Sequence, residues 1–141
     1  MFIGTYFNKI DEKGRLRMPA KFKEELGCTY FVSKGDSGCL YVLSKSAFEQ
    51  LTEKFRSINF SDNESKKFQR AFFSSADSVE EDNQGRFLVP QMLRDYANIA
   101  KEVVVIGSGD RVEIWSRENW EKYNEDEDFD GLISGLSKYE L

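Results

Sequence analysis

One five-residue pattern that could contact a polyanion occurs twice in this chain, as Asp-Glu-Lys-Gly-Arg at residues 11–15 and Asp-Asn-Gln-Gly-Arg at residues 82–86. Arginine makes the commonest base-specific contact in protein–DNA complexes, donating two hydrogen bonds to O6 and N7 of guanine. An aspartate four residues earlier could hold the guanidinium planar, so that less side-chain freedom is lost on binding. The pattern predicts base contacts by Arg15 and Arg86 on exposed strand faces. The alternative is a surface arginine that pairs only with its own turn aspartate.

Basic and amide side chains around each pattern would complete a DNA-binding surface. Lysine and arginine neutralise phosphates, which positions a protein without specifying sequence. Lys21 and Lys23 fit this role, or simply a solvated helix face. The amides in the second turn could bond to a base edge or sugar, or satisfy the turn itself. The predicted DNA-binding residues are Lys9, Asp11, Lys13, Arg15, Arg17, Asp82, Asn83, Gln84 and Arg86.

Charge is unevenly distributed along the 141 residues, although the net charge is −5. Residues 1–23 carry a surplus of four positive charges. Residues 118–130 carry seven acids against Lys122 alone. Distribution decides how a polyanion approaches, and the net charge does not. The sequence predicts a basic front and a solvated acidic tail that keeps DNA away from that end.

Several classes of function are disfavoured by the residues that are missing. The chain has no histidine, which removes imidazole metal sites and nucleophiles activated by histidine. Cys28 and Cys39 fit no metal-binding spacing, and no phosphate-binding glycine loop is present. We expect no catalytic residue, no metal, no cofactor and no small-molecule substrate. The aromatic side chains have core spacing rather than that of a base-stacking surface, and they include Phe68, Phe72, Phe73, Trp115 and Trp120.

Location is predicted from the absence of targeting features. No stretch approaches the ~18 apolar residues of a membrane span, and the start lacks the pattern of a signal peptide. We expect a cytoplasmic protein without a membrane partner.

The whole chain, and not only the motif, reads as a duplication. Gly14, Arg15 and Pro19 align with their second-copy counterparts at a shift of 71 residues, and residues 31–48 align with residues 103–120 at a shift of 72. Each copy predicts a hairpin around the motif, a helix that starts with proline at its first position, a second hairpin, and a helix capped by serine. Ser44 and Ser116 are the predicted caps.

These elements predict a mostly β fold with short helices, in the α+β class. A unit of about seventy residues is near the lower limit for an independent core, so two units would share one barrel-like core. The predicted organisation is a first unit at 5–47, a helical connector at 48–75, a second unit at 76–120 and an acidic tail at 121–141.

The doubled motif, Asp-x-x-Gly-Arg with proline four residues after the arginine, resembles the MraZ family of bacterial transcriptional regulators. The likeness covers nearly the whole chain and implies two swapped-hairpin β-α-β units of the SpoVT-AbrB type, packed pseudo-symmetrically. It implies subunits assembled into a closed, octamer-like ring, associated with the nucleoid. It further implies binding to short G-rich direct repeats in double-stranded DNA, upstream of the operon for cell division and wall synthesis that includes the protein's own gene.

Two other functions remain open on sequence grounds. One is a protein-interaction adaptor that uses its acidic end and binds no DNA. The other is an antitoxin-like regulator that binds DNA and neutralises a toxin through a tail, although such regulators normally carry one unit. The second copy also departs from the first, because Gln84 replaces Lys13 and Leu88 replaces Arg17. The two copies are therefore predicted to contribute unequally.

Overall fold

A computed structural model describes residues 1–58, 62–126 and 128–140. Parts of the predicted connector and acidic tail, at 59–61, 127 and 141, lie outside the described residues. The strands are β1 (Thr5–Lys9), β2 (Arg15–Arg17), β3 (Thr29–Lys34), β4 (Leu40–Ser44), β5 (Asp77–Glu80), β6 (Arg86–Leu88), β7 (Glu102–Gly107) and β8 (Val112–Ser116). The α-helices are α1 (Ala20–Leu26), α2 (Lys45–Arg56), α3 (Asn63–Ser75), α4 (Gln91–Tyr96), α5 (Arg117–Tyr123) and α6 (Phe129–Gly135).

Six strands form one antiparallel sheet in the order β1-β7-β8-β4-β3-β5. The remaining two strands, β2 and β6, pair with each other as a separate antiparallel ribbon. The mixed α/β architecture with antiparallel sheets and short helices agrees with the predicted class.

The main core lies between one face of the sheet and a layer made of the ribbon, α1 and α4. Leu16 and Phe87 of the ribbon and Phe22 and Leu93 of the helices are fully or almost fully buried there. Alternation along the ribbon explains this placement, because residues two apart on a strand lie on the same face. The arginines that flank Leu16 therefore point away from the core.

The opposite face of the sheet carries α2, α3 and α5. Phe31 of β3 stacks on Phe48 of α2 with ring centroids 4.2 Å apart. Trp115 of β8 packs edge-on against Trp120 of α5 at 5.3 Å. Burial is thus confirmed for Trp115 and Phe72, but it is wrong for Phe68, whose side chain is 51% exposed.

The predicted helix starts are correct to within one residue. The Ser44 hydroxyl accepts from the Ala47 amide at 3.1 Å, and Ser116 accepts from the Asn119 amide at 3.0 Å. Pro19 and Pro90 occupy the cap itself rather than the first helical position. A proline suits either position, because neither one needs an intrahelical N–H donor.

The predicted barrel-like core is wrong in the described residues. The six-stranded sheet is open, because β1 and β5 form its two edges and pair with no further strand there. The hairpins around the motif are also not simple ladders. β1 pairs with β7 and β2 pairs with β6, so β1 and β2 are joined by the turn and by a hydrogen bond from Asn8 Nδ2 to the Arg17 carbonyl oxygen at 3.1 Å, and not by a strand ladder.

Each half of the chain completes the pairing of the other half. β1 pairs with β7 of the second half, and β5 pairs with β3 of the first half. Among the described residues, neither half contains a partner for its own first strand, so the two halves form one structure around one main core.

Among the described residues, no helix has both the length and the apolar character that crossing a bilayer requires.

Candidate nucleic-acid interface

The first turn is built around the carboxylate of Asp11. Its Oδ1 accepts the backbone N–H of Lys13 at 2.9 Å and that of Arg15 at 2.8 Å. The chain then reverses at Gly14, which has a φ of +83°. Asp at the start of a turn and Gly at a left-handed position are the residue types that such a turn favours. The turn thereby fixes where the Arg15 side chain leaves the backbone.

The second turn repeats this geometry around Asp82. Its Oδ1 accepts the backbone N–H of Gln84 at 2.8 Å and that of Arg86 at 3.0 Å. Gly85 reverses the chain with a φ of +76°. The two copies of the motif therefore encode the same backbone device.

Pairing of β2 with β6 brings the two turns together. Arg15 lies opposite Leu88 and Arg17 opposite Arg86 in the ribbon. The four charged residues of the motifs, Asp11, Arg15, Asp82 and Arg86, form one connected set that we call the ionic quartet.

Contacts within the quartet run both along and across the two turns. Arg15 Nε donates to Asp11 Oδ2 at 3.0 Å, while Arg86 Nε lies 3.3 Å from Asp82 Oδ2. Across the ribbon, an Arg86 terminal nitrogen lies 3.5 Å from Asp11 and one of Arg15 lies 4.0 Å from Asp82. Each guanidinium thus faces both carboxylates, which holds the two arginines side by side.

The quartet corrects the expectation that the two arginines are freely exposed. The side chain of Arg15 is 31% exposed and that of Arg86 is 26% exposed. Pairing of each arginine with its own turn aspartate and contact with a base are compatible in this arrangement. An arginine held by carboxylates still presents its remaining N–H groups outward, because a guanidinium has five donors.

Both quartet carboxyl groups are stabilised in their charged form. The hydrogen bond from the Arg15 amide is the largest cause that lowers the pKa of Asp11, with further contributions from Lys13 and the Arg15 guanidinium. The Arg86 amide lowers the pKa of Asp82 in the same way. The quartet therefore carries two negative and two positive charges near neutral pH.

The other predicted site residues surround the quartet and are exposed. They are Lys9, Lys13, Arg17, Asn83 and Gln84. Among these, Lys9, Lys13 and Arg17 make no ion pair with any described residue and are exposed. Leu88 is 53% exposed on the same ribbon face and was not predicted as a site residue. Apolar side chains can contact the methyl group of thymine.

Two basic residues support the turns in ways that the sequence did not predict. Lys23 forms an ion pair with Glu81 at 2.6 Å beside the second turn, so it is not free to bind phosphate as one prediction allowed. Arg94 donates from Nε to the carbonyl oxygen of Val89 at 2.9 Å and lies over Gly14. Lys23 and Arg94 are 71 residues apart, so the alignment of the two copies is the signal that could have linked them.

One cluster away from the ribbon has metal-ligand residue types. Asp36, Cys39 and Glu113 each place a ligand-type atom within 4.8 Å of the others. Their atoms are already engaged, since Glu113 pairs with Arg111 at 2.8 Å and Asp36 accepts from Tyr41. Burial, with the nearby charge of Glu113, raises the pKa of the Cys39 thiol to about 12. The cluster is a hydrogen-bonded part of the structure, and its surroundings favour the protonated thiol.

Comparison with known proteins gives one consistent result. The family model for the MraZ protein, described as antitoxin-like, matches residues 1–71 and again residues 72–131. The chain is 47% identical over 143 positions to the transcriptional regulator MraZ of Finegoldia magna, covering 100% of both chains. It is 51% identical over 125 positions to that of Heliobacterium modesticaldum, covering 89% of this chain and 87% of the relative.

Proposed function

The chain belongs to the MraZ family, and from that membership we propose that it regulates transcription by binding double-stranded DNA through the ribbon face. The observation that carries the proposal is the ionic quartet, in which both motif arginines lie side by side, with exposed basic and amide side chains on the same turns and ribbon. Relatives of similar length are named transcriptional regulators, which supports the same function.

The side chains divide into two roles. Arg15 and Arg86 read guanine in the major groove, while Asp11 and Asp82 keep the guanidinium planes in a fixed orientation. Lys9, Lys13 and Arg17 neutralise phosphates, and Asn83 and Gln84 bond to base edges or sugars beside the second turn. This division follows from exposure, because the phosphate-binding side chains are free while the arginines of the quartet are held.

The target and the assembly belong to the same proposal. The pairing of β1 with β7 and of β5 with β3 supports two SpoVT-AbrB-type units that exchange hairpins pseudo-symmetrically. Short G-rich direct repeats, upstream of the cell division and wall operon that includes the chain's own gene, are the target in the nucleoid. Repeated weak contacts on a linked assembly multiply through effective concentration, which supports a closed, octamer-like ring of subunits on tandem repeats.

Replacement of each motif arginine by lysine tests the proposal. Lysine keeps the positive charge but cannot form a bidentate contact. We expect Arg15→Lys and Arg86→Lys each to weaken binding to G-rich repeats by about 1–3 kcal/mol while binding to scrambled DNA is nearly unchanged. The measurement is affinity for both DNAs at fixed salt, with Arg56→Lys on α2 as the control. An unchanged affinity ratio in both motif variants would exclude base reading by these arginines.

The adaptor and antitoxin-like functions predict different behaviour. An adaptor retains no DNA even at low salt, whereas an antitoxin-like regulator retains DNA and also captures a second protein through its tail. Because the family description includes the term antitoxin-like, capture of a second protein by the tail should be tested as well. Retention of wild-type protein on the G-rich fragment at low salt separates the adaptor from both regulators.

A further inference from the structure

The short helix α6, which we call the tail helix, has an apolar stripe with no described covering. Phe129, Leu132 and Ile133 of this helix and Leu136 directly after it have the i, i+3, i+4, i+7 spacing that forms one helix face. Their side chains are between 41% and 75% exposed. The carboxylate of Asp128 caps the helix by accepting the Gly131 N–H.

Such a helix needs a surface to pack against. The tail helix has seven residues, and isolated helices shorter than ~12–15 residues are marginal in water. Most helical stability in proteins comes from packing an amphipathic face. The stripe is therefore better explained as a docking element than as part of a solvated tail.

A surface of matching character lies between the sheet and the pair α2 and α3. Two adjoining cavities of about 240 and 250 Å³ share Tyr41, Phe68 and Phe72 in their walls. Phe68 contacts Phe55 and Phe72 at centroid distances of 5.5 and 5.8 Å, yet half of its surface stays open. We call this surface the aromatic groove.

Charge at the rim of the groove complements the tail. Lys34 and Lys54 line the groove and make no ion pair with any described residue, and the Lys34 ammonium lies over the Tyr96 ring at 5.0 Å. The other rim charges are already engaged, since Arg111 pairs with Glu113 and Asp110, and Asp36 accepts from Tyr41. The segment that leads into the tail helix, residues 124–130, carries five acids and no base.

We propose that the tail helix of one copy docks in the aromatic groove of a second copy. The described residues of a single molecule leave both surfaces open, and each surface is suited to cover the other. A contact between two different surfaces is heterologous, and repetition of such a contact produces a ring or a filament. The inference rests on the assembly part of the proposed function and identifies the contact that links subunits.

Charged substitutions on the two faces of the tail helix test the contact. Leu132→Asp places a charge on the apolar stripe, and Ser134→Asp places the same charge on the opposite face of the helix as the matched control. Light scattering after size-exclusion chromatography gives the mass. We expect wild type and Ser134→Asp to form the same assembly and Leu132→Asp to fall toward the 16.4 kDa of one chain.

The groove is tested independently by Phe68→Asp and by Lys54→Glu. Lys54→Glu changes an exposed residue of α2 and leaves Phe68 in place, so it keeps the test valid if Phe68→Asp disturbs α3. We expect both variants to lower the mass, with circular dichroism confirming that each remains folded.

A mixture of two defective variants distinguishes this contact from other occupants of the groove. Leu132→Asp retains a working groove, and Phe68→Asp retains a working tail, so together they form one intact contact per pair. We expect differently tagged copies of the two to co-purify, and the Leu132→Asp copies alone not to do so. If Leu132→Asp retains the wild-type mass, the tail docks within its own chain or on a foreign protein, and the proposal is wrong.

The outcomes of these experiments distinguish failure of the subunit contact from failure of the proposed function. A monomeric wild-type protein would overturn both the ring and the contact inferred here. A wild-type oligomer that is insensitive to all three variants would leave the ring standing and exclude only this contact. Loss of guanine preference in Arg15→Lys and Arg86→Lys is measured as a ratio of affinities for two DNAs. That ratio tests DNA reading whatever the state of assembly proves to be.

Discussion

The two turns of the interface share a backbone and differ in their side chains. In each turn one aspartate oxygen accepts two backbone N–H groups, at 2.9 and 2.8 Å in the first and at 2.8 and 3.0 Å in the second. Glu12 and Lys13 occupy the variable positions of the first turn, and Asn83 and Gln84 occupy those of the second. The difference shows that the backbone turn needs only aspartate and glycine, because its hydrogen bonds come from backbone N–H groups, and that the variable positions can carry different side chains.

The surroundings of the two turns differ as well. The buried Ile10 precedes the first turn, whereas Glu81, paired with Lys23, precedes the second. Arg15 Nε makes a full hydrogen bond to its aspartate, while Arg86 Nε is close to Asp82 but outside hydrogen-bond geometry. The arginine of the first turn is therefore the more fully hydrogen-bonded of the two, and no acid stands directly before that turn.

Substitution of the turn glycines should have the largest effect on this comparison. A Cβ at Gly14 would lie 2.5 Å from the Arg94 guanidinium carbon, whereas one at Gly85 would lie 3.6 Å from Lys23 Nζ. A left-handed residue other than glycine costs about 1–2 kcal/mol, and displacing Arg94 from Val89 costs about 1 kcal/mol more. We expect Gly14→Ala to lower the free energy of unfolding by about 2–3 kcal/mol and Gly85→Ala by about 1–2 kcal/mol. Urea unfolding measures both, and a larger loss at Gly85 would reverse the ranking.

Replacement of Glu81 by isoleucine makes the second turn resemble the first. The buried Tyr30 hydroxyl donates to Glu81 at 3.3 Å and would lose its partner. An unsatisfied buried group costs about 1–3 kcal/mol, so Glu81→Ile should be destabilising by roughly that amount. The double variant with Tyr30→Phe should recover most of the loss, since replacing both partners is nearly neutral. No recovery in thermal or urea unfolding would show that the ion pair with Lys23 dominates.

Salt dependence compares the two turns as DNA contacts. Each phosphate contact adds about 0.9 to the slope of log affinity against log salt. Lys13→Gln with Arg17→Gln should flatten the slope by up to about two units. Asn83→Ala with Gln84→Ala should leave the slope nearly unchanged and alter the preferred sequence. Affinity for the G-rich fragment across a salt series measures both, and equal flattening would mean that the two turns meet DNA alike.

The pH dependence of the unfolding free energy should show the smallest difference between the two turns. The folded state lowers the pKa of Asp11 and of Asp82, so their contribution to stability is complete above the ordinary value near 3.9 and is lost as pH falls through the folded pKa. Both Asp11→Asn and Asp82→Asn should reduce the drop in unfolding free energy that occurs below about pH 4. The reduction should be slightly larger for Asp11→Asn, because only Asp11 accepts a full hydrogen bond from its arginine side chain. Unfolding measured between pH 2 and 5 tests the order, and Asp126→Asn, at an exposed position outside the turns, serves as the control.

The contrast between Phe68 and Phe72 shows where pattern reading stops. Both have helical spacing in α3, and only Phe72 is buried. Spacing tells which residues share a helix face, but it does not tell how far the neighbouring element extends over that face. The apolar stripe on the tail helix was not predicted, because acids dominate the composition of the segment in front of it.

The sequence by itself determined the local devices: two aspartate turns, serine caps at 44 and 116, inward helix faces, and a basic front with an acidic back. Each depends on hydrogen bonds or side chains only a few residues apart, so residue type and spacing are enough to predict it. The tertiary structure alone decided that β2 pairs with β6, and that two turns 71 residues apart form one quartet. Neither half buries a core of its own, so the exchange of strands between the halves follows from the demand for one shared core, which no local pattern specifies.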